Sequence, residues 1–311
     1  MRTPSPRLVT IGAALAAVYL VWGSTFLVIR IALESFPPLL MAGIRFVVAG
    51  GALFAVAWMR GVAMPTLRQW GACAVTGVLL VASNAALVFA EGSVPSGVAA
   101  MVMATIPMWM AIFGHLWGDR TRAAEWMGLV LGLAGVALLH FGGALGSSSL
   151  GALVCFLAPV SWAIGSVWSR HLPLPGGMIQ SATQMTVGGV VVLFVGFARG
   201  ERMTSMPDAT GVGALAYLIV LGSIVTFSAY GFLLREVRPS VATSYAYVNP
   251  IVALAIGAAF GGERVGTTAM VALALTLSGV ILLARSRTKV TPSPRLRPTP
   301  PAPSDACEQR A

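Results

Sequence analysis

Apolar runs separated by arginines, prolines and glycine-serine clusters fill most of the chain, at residues 9–30, 37–58, 69–90, 95–117, 124–141, 149–169, 178–198, 211–234, 240–260 and 267–285. A helix needs about 20 mostly apolar residues to cross a bilayer, so the pattern predicts ten membrane-spanning helices with short connections and no room for a soluble domain. The separator RHLPLPGG, between the sixth and seventh runs, is the weakest of these boundaries. Within the runs a few polar positions stand out. The first run contains VYLVWGSTFLVIR, Val18 to Arg30, which sets Tyr19, Trp22, Phe26 and Arg30 at helical spacing with Ser24 and Thr25 beside them. An unsatisfied polar atom at that depth in lipid costs several kcal/mol, so this face is expected to point into the bundle or a wet cavity. Gly23, Ser24 and Thr25 also suit a close helix contact, and the pattern leaves both readings open.

Composition agrees with the pattern: 57% of the 311 residues are hydrophobic and 10% charged, with a mean hydropathy of +0.85. The net charge of +10 comes largely from arginines scattered at the ends of apolar runs. That distribution reads as a topology signal rather than a nucleic-acid surface. With a cytoplasmic N-terminus, Arg2, Arg7, Arg60, Arg68, Arg120, Arg122, Arg170, Arg235, Arg238, Arg285, Arg287 and Lys289 flank helices on the inside, against Arg30, Arg199, Arg202 and Arg264 outside. Both termini are therefore expected in the cytoplasm of a multi-pass inner-membrane protein. The small-residue stretch near the N-terminus comes too early for a cleavage site, so the first helix is expected to be retained. Residues 286–311, rich in proline and charge, read as a disordered cytoplasmic tail. Cys73, Cys155 and Cys307 share no close spacing and suggest neither a disulfide nor a metal site, and no motif calls for a cofactor.

The two halves of the chain repeat. VPSGVAAMVMATIPMWMAIFGHLWGDR, Val94 to Arg120, resembles RPSVATSYAYVNPIVALAIGAAFGGER, Arg238 to Arg264, with Pro107 matching Pro250. GLAGVALL from Gly132 matches TLSGVILL from Thr276, and Trp22 to Arg30 has the spacing of Trp162 to Arg170, so the offset is 140 to 144 residues. Five helices per copy is an odd number, which forces the second copy, residues 149–285, to enter from the side opposite the first, 9–141. The predicted fold class is thus an all-α membrane protein of two inverted five-helix repeats, preceded by a short cytoplasmic segment, 1–8. Such repeats belong to alternating-access transporters, with the substrate site between the copies. WGSTF, a following helix with Arg45, the Pro-Ser openings of the fourth and ninth helices and the Gly-acid-Arg ends resemble the EamA-type exporters of the drug/metabolite transporter superfamily. The resemblance covers residues 8–285 and implies a ten-helix bundle that exports small metabolites, often amino acids or related compounds.

Candidate cavity residues follow from polar groups in apolar runs. They are Trp22, Thr25, Asn84, Trp162, Gln184, Ser228, Tyr247 and Asn249, with helix-to-helix hydrogen bonding as the competing role. Asn84 and Ser228 are repeat counterparts, expected to face one another across the pseudo-axis. Pro107 and Pro250 are candidate hinges or kinks. Arg45 lies eight residues past Pro37, about 12 Å into its helix. An arginine within the membrane needs a partner, expected to be Glu91 or Glu34, and Arg45 either lines the pathway with its approximate counterpart Gln184 or forms a structural ion pair and snorkels outward. Glu91 or a histidine, His115 or His140, could couple transport to protons. No acid lies mid-membrane, since Glu34, Glu91, Asp119, Glu125, Glu236 and Glu263 all fall at helix ends, which favours a neutral or zwitterionic cargo over a permanently cationic drug. Coupling is not required, since a ~100-fold gradient supplies about 2.7 kcal/mol.

Other function classes fit less well. An enzyme would need catalytic motifs that the chain lacks: HExxH, paired aspartates, a nucleophile with its base, or a phosphate-binding Gly-Lys loop. A channel or a structural membrane protein accounts less well for an inverted repeat with off-centre prolines. An importer or exchanger of the same fold remains an alternative. The expected partners are a small-molecule substrate and the lipid bilayer, with no nucleic acid.

Overall fold

A computed structural model describes residues 6–118, 123–141, 149–237, 244–262 and 266–287. Among the described residues, ten helices make up the bundle. Helix α1 comprises Pro6–Ala16, a π-helical turn Ala17–Val21, and Trp22–Ala32; α2 is Pro38–Met59 and α3 is Leu67–Glu91. Helix α4 is broken into Ser96–Met103 and Ile106–Leu116, and α5, α6 and α7 are Ala123–Phe141, Ser149–Trp168 and Met178–Ala198. Helix α8 again contains a π-turn, in the order Ala209–Ile219, Val220–Val225, Thr226–Glu236, followed by α9 at Tyr245–Phe260 and α10 at Thr267–Arg287. Among the described residues, seven helices are long and apolar enough to cross a membrane, while three further apolar helices, Trp126–Leu139, Val248–Phe260 and Thr267–Leu282, are shorter.

Local chemistry sets the helix ends. Thr66 and Gln69 form a reciprocal capping box at the start of α3. Asp208 caps α8 by accepting from the Gly211 amide at 2.8 Å. Glu201, in the loop after α7, accepts from the Leu39 and Leu40 amides at 2.9 Å each, supplying an anion to the positive end of α2. Pro107 is the second residue of the latter half of α4. The break therefore falls before the proline, at Ala104 and Thr105, because a proline is accepted in the first turn of a new helix. Pro250 lies inside α9, and so does Pro159 in α6.

Helices pack in a reciprocal pattern. Helix α2 lies against α7, α5 against α10 and α4 against α9; α3 packs on α6 as α8 does on α1, and α6 packs on α4 as α1 does on α9. Glycines let backbones approach: a Cβ on Gly50 would stand 2.5 Å from Thr186 Oγ1 and 2.9 Å from the Ala182 carbonyl, and one on Gly279 would stand 2.4 Å from the Gly128 carbonyl. One face of the bundle, here the N-terminal face, carries the Arg7–Glu236 ion pair at 2.7 Å and the Trp117–Trp168 ring contact. At the far face Ser35 donates to Asp208 at 2.6 Å, and Arg199 lies over Phe89. Residues 288–311, most of the expected tail, lie outside the described residues, as do Arg120 and Arg264.

Candidate functional site

The π-turn of α1 ends where Trp22 begins, and the π-turn of α8 lies beside it. A π-turn misaligns the helical ladder locally and frees carbonyls for other donors, which is why such turns collect at functional sites. The Gly222 carbonyl, inside the α8 turn, accepts from Arg45 Nη2 at 3.1 Å, from Trp22 Nε1 at 3.3 Å and from Thr226 Oγ1 at 2.8 Å. The Tyr19 carbonyl, inside the α1 turn, accepts at 3.3 Å from the Asn249 side-chain nitrogen in the amide orientation that satisfies its hydrogen bonds, as does the Tyr245 carbonyl at 3.3 Å. Two irregular turns thus position three cavity side chains.

These side chains line an inner cavity of about 80 Å³, bounded by Trp22, Thr25, Phe26, Arg45, Asn84, Trp162, Phe227, Tyr245, Asn249 and Pro250. Trp162 and Phe227 also border a second, larger cavity of about 490 Å³ that reaches Ser169 and Arg170 at the end of α6 and Met178 at the start of α7, and so extends toward the N-terminal face. The two rings stand 6.4 Å apart by centroid and separate the lobes. Trp22 packs edge-on to Phe227 at 5.6 Å and to Tyr245 at 4.9 Å, with Tyr230 at 5.5 Å, giving the inner lobe an aromatic wall.

The structure brings Trp22, Thr25, Arg45, Asn84, Trp162 and Asn249 together on the inner lobe. Ser228 borders the larger lobe and not the inner lobe that Asn84 lines, so the two do not share a cavity as expected of facing counterparts. Gln184 borders the larger lobe and also a small third cavity that it shares with Asn84, Trp162 and Phe227, and it donates from Nε2 to Thr76 Oγ1 at 2.7 Å. Arg30 is exposed, so the polar face of the first helix ends at Phe26. Gly23 belongs to packing, since a Cβ there would stand 2.5 Å from Val252 Cγ1. Ser24 bonds Tyr217 across to α8 at 2.7 Å. The side chains of Tyr247 and His140 lie outside the described residues. His115 stands edge-on to Trp126 at 5.9 Å, near the end of α4 and away from both lobes.

Arg45 is 2% exposed and does not snorkel. Its Nε donates to Ser223 Oγ at 2.9 Å and its Nη2 to Gly222, so neutral groups of the α8 turn hold it by hydrogen bonds where a carboxylate was expected. Glu91 is buried as well and acts on Arg45 electrostatically. A freed carbonyl and a hydroxyl thus serve two of the guanidinium nitrogens, while the buried Glu91 carboxylate supplies the opposite charge that a guanidinium at this depth calls for. Sequence reasoning missed Gly222, Ser223 and Phe227. The Gly-Ser pair in LGSIVTF, echoing the Gly-Ser of WGST, is the signal that pointed there.

The EamA-like transporter family matches twice, over residues 9–141 and 149–285. The chain belongs to the EamA-like transporter family. It is 43% identical over 279 residues to the "uncharacterized inner membrane transporter YedA" of Escherichia coli K12, covering 89% of this chain and 91% of that one. It is also 26% identical over 287 residues to a "probable amino-acid metabolite efflux pump" of the same strain, covering 87% of this chain and 93% of the other. A solved crystal structure, 21% identical, shares the fold with a TM-score of 0.64 over 91% of this chain and 100% of its own. The protein is a multi-pass membrane transporter of this family.

Proposed function

We propose that this protein exports small neutral or zwitterionic metabolites, amino acids or related compounds, across the inner membrane by alternating access. The two repeats, 9–141 and 149–285, have inverted topology, both termini are cytoplasmic, and the larger lobe opens to the cytoplasm. The observation that carries this reading is the inner lobe itself, a central cavity ringed by aromatic and polar groups, one aromatic pair away from a larger lobe. The architecture is supported by the reciprocal packing, in which exchanging each helix for its counterpart five positions on reproduces the main neighbours. Likeness to a protein named as an amino-acid metabolite efflux pump supports the cargo class.

Transport into inverted membrane vesicles and proteoliposomes, across a panel of amino acids and with and without a pH gradient, tests the reading. Accumulation of one or more amino acids is expected, and Asn84→Ala and Asn249→Ala should each reduce it at unchanged expression. Ion conductance without movement of any solute in the panel would replace the exporter by a channel.

A further inference from the structure

The guanidinium of Arg45 is fixed on two of its three nitrogens, by Ser223 and Gly222. The third, Nη1, is buried and makes no hydrogen bond among the described residues, although Arg45 lines the inner lobe. A buried donor left without an acceptor costs about 1–3 kcal/mol, more when it is charged. Glu91 acts on this cation through the field, but it does not accept from Nη1. A fold that holds two nitrogens and leaves the third unbonded, on a residue that lines the cavity, is arranged for an acceptor that arrives from outside, and a guanidinium edge suits a carboxylate.

The rest of the lobe has the opposite preference. Asn249 and Asn84 both turn their amide nitrogens to backbone carbonyls, the first to Tyr19 and Tyr245 and the second to Leu80 at 3.2 Å. What remains for a ligand is the carboxamide oxygen of each, an acceptor, and one amide hydrogen of Asn84. Trp22, Phe227 and Tyr245 add ring faces, which attract cations. Among the described residues no Asp or Glu lines the lobe, so a plain amine would meet Arg45 without a carboxylate of its own.

We propose that the inner lobe recognises the backbone of an α-amino acid, with the carboxylate on Arg45 Nη1 and the ammonium toward the Asn84 and Asn249 oxygens and the aromatic faces. The lobe is small, so the side chain extends past Trp162 and Phe227 into the larger lobe, which makes the backbone the common handle and the side chain the variable part. The assignment rests on the exporter reading only for the statement that the bound solute is cargo.

The test is a ligand series on the full-length protein in nanodiscs, with binding followed by intrinsic tryptophan fluorescence. The common L-amino acids are screened first, and each that binds is compared with its carboxamide, its decarboxylated amine and sodium chloride. The carboxamide and the amine should bind about 10- to 100-fold more weakly than the parent amino acid, the span expected for losing a charge-assisted hydrogen bond. Arg45→Lys should retain part of this preference and Arg45→Gln should erase it. Ser223→Ala, which only loosens the guanidinium, should weaken the amino acid while leaving the amine unchanged. Equal affinity for amino acid and carboxamide overturns the assignment in the wild-type protein, whatever the variants do. So does chloride occupancy that amino acids fail to displace, or a panel in which nothing binds. Transport separates this from the exporter reading: carboxylate-selective binding without transport removes the exporter and keeps the site, whereas transport of amines and amides as fast as amino acids removes the site and keeps the exporter.

Discussion

Arg45 Nη2 and the Gly222 carbonyl lie 3.1 Å apart, tying α2 to the π-turn of α8 through a bond buried in the bundle. The contact leaves no slack, because a Cβ on Gly222 would stand 3.3 Å from Arg45 Nη2 and 3.0 Å from Thr25 Cγ2. Gly222→Ala should therefore push two cavity residues at once, lowering stability by about 1–3 kcal/mol and reducing transport further than its effect on expression. Thermal unfolding of the purified protein alongside initial efflux rates checks this. Wild-type values in both would mean that the turn has room the geometry denies it.

Phe227 and Trp162 divide the cavity, and truncating Phe227 should join the lobes. In a variant with its native cysteines replaced, Thr25→Cys reports access to the inner lobe. Adding Phe227→Ala should raise its labelling rate with a bulky maleimide severalfold, and an unchanged rate would place the barrier elsewhere.

Two adjacent glycines in α2 make a matched pair. Gly50 faces α7, with Thr186 and the Ala182 carbonyl within 2.9 Å of a would-be Cβ, while Gly51 has nothing within 4 Å. Gly50→Ala should cost about 1–3 kcal/mol. Gly51→Ala should be neutral or stabilising by up to about 1 kcal/mol, since alanine is the better helix former. Equal melting temperatures would argue against the α2–α7 contact.

The far-face latch gives a pH signature. Hydrogen bonds from Ser35 first, and then from the Gly211 amide, hold the Asp208 carboxyl below its ordinary value of 3.8. A depressed pKa stabilises the folded state above the ordinary value, and that contribution is lost as pH falls through the folded value. Across pH 5–8 Ser35→Ala should therefore change stability by a constant amount. Below about pH 4 the difference between wild type and Ser35→Ala should shrink, which thermal unfolding at stepped pH measures.

Much of this molecule is legible in its sequence, for a physical reason: lipid punishes polar atoms, so each one inside an apolar run marks either a helix contact or a cavity. Helix α7 runs over the expected 178–198, and Trp22, Asn84, Trp162 and Asn249, all picked from apolar runs, meet on one lobe. Glu91 was legible as the charge that acts on Arg45, whereas its hydrogen-bond partners were not, because the expectation looked for charges and these are a carbonyl and a hydroxyl. Phe227 was hidden among thirteen phenylalanines, none distinguishable by chemistry alone. The π-turns were not legible either: the carbonyls inside them accept from Trp22, Arg45 and Asn249, side chains of other helices that the one-dimensional pattern does not bring together.

Those turns have a consequence for the chain's tolerance of insertions and deletions. Helical phase beyond an irregular turn depends on how many residues the turn contains, and each residue is worth about 100° of rotation. Removing a single alanine or valine from AVYLV, Ala17–Val21, would barely alter hydrophobicity or span, yet it would swing the indole of Trp22 and the hydroxyl of Thr25 out of register with Arg45. Residue count in this stretch is as much a part of the site as residue type, so a one-residue gap here among relatives would mark a rebuilt cavity even where every polar side chain is retained.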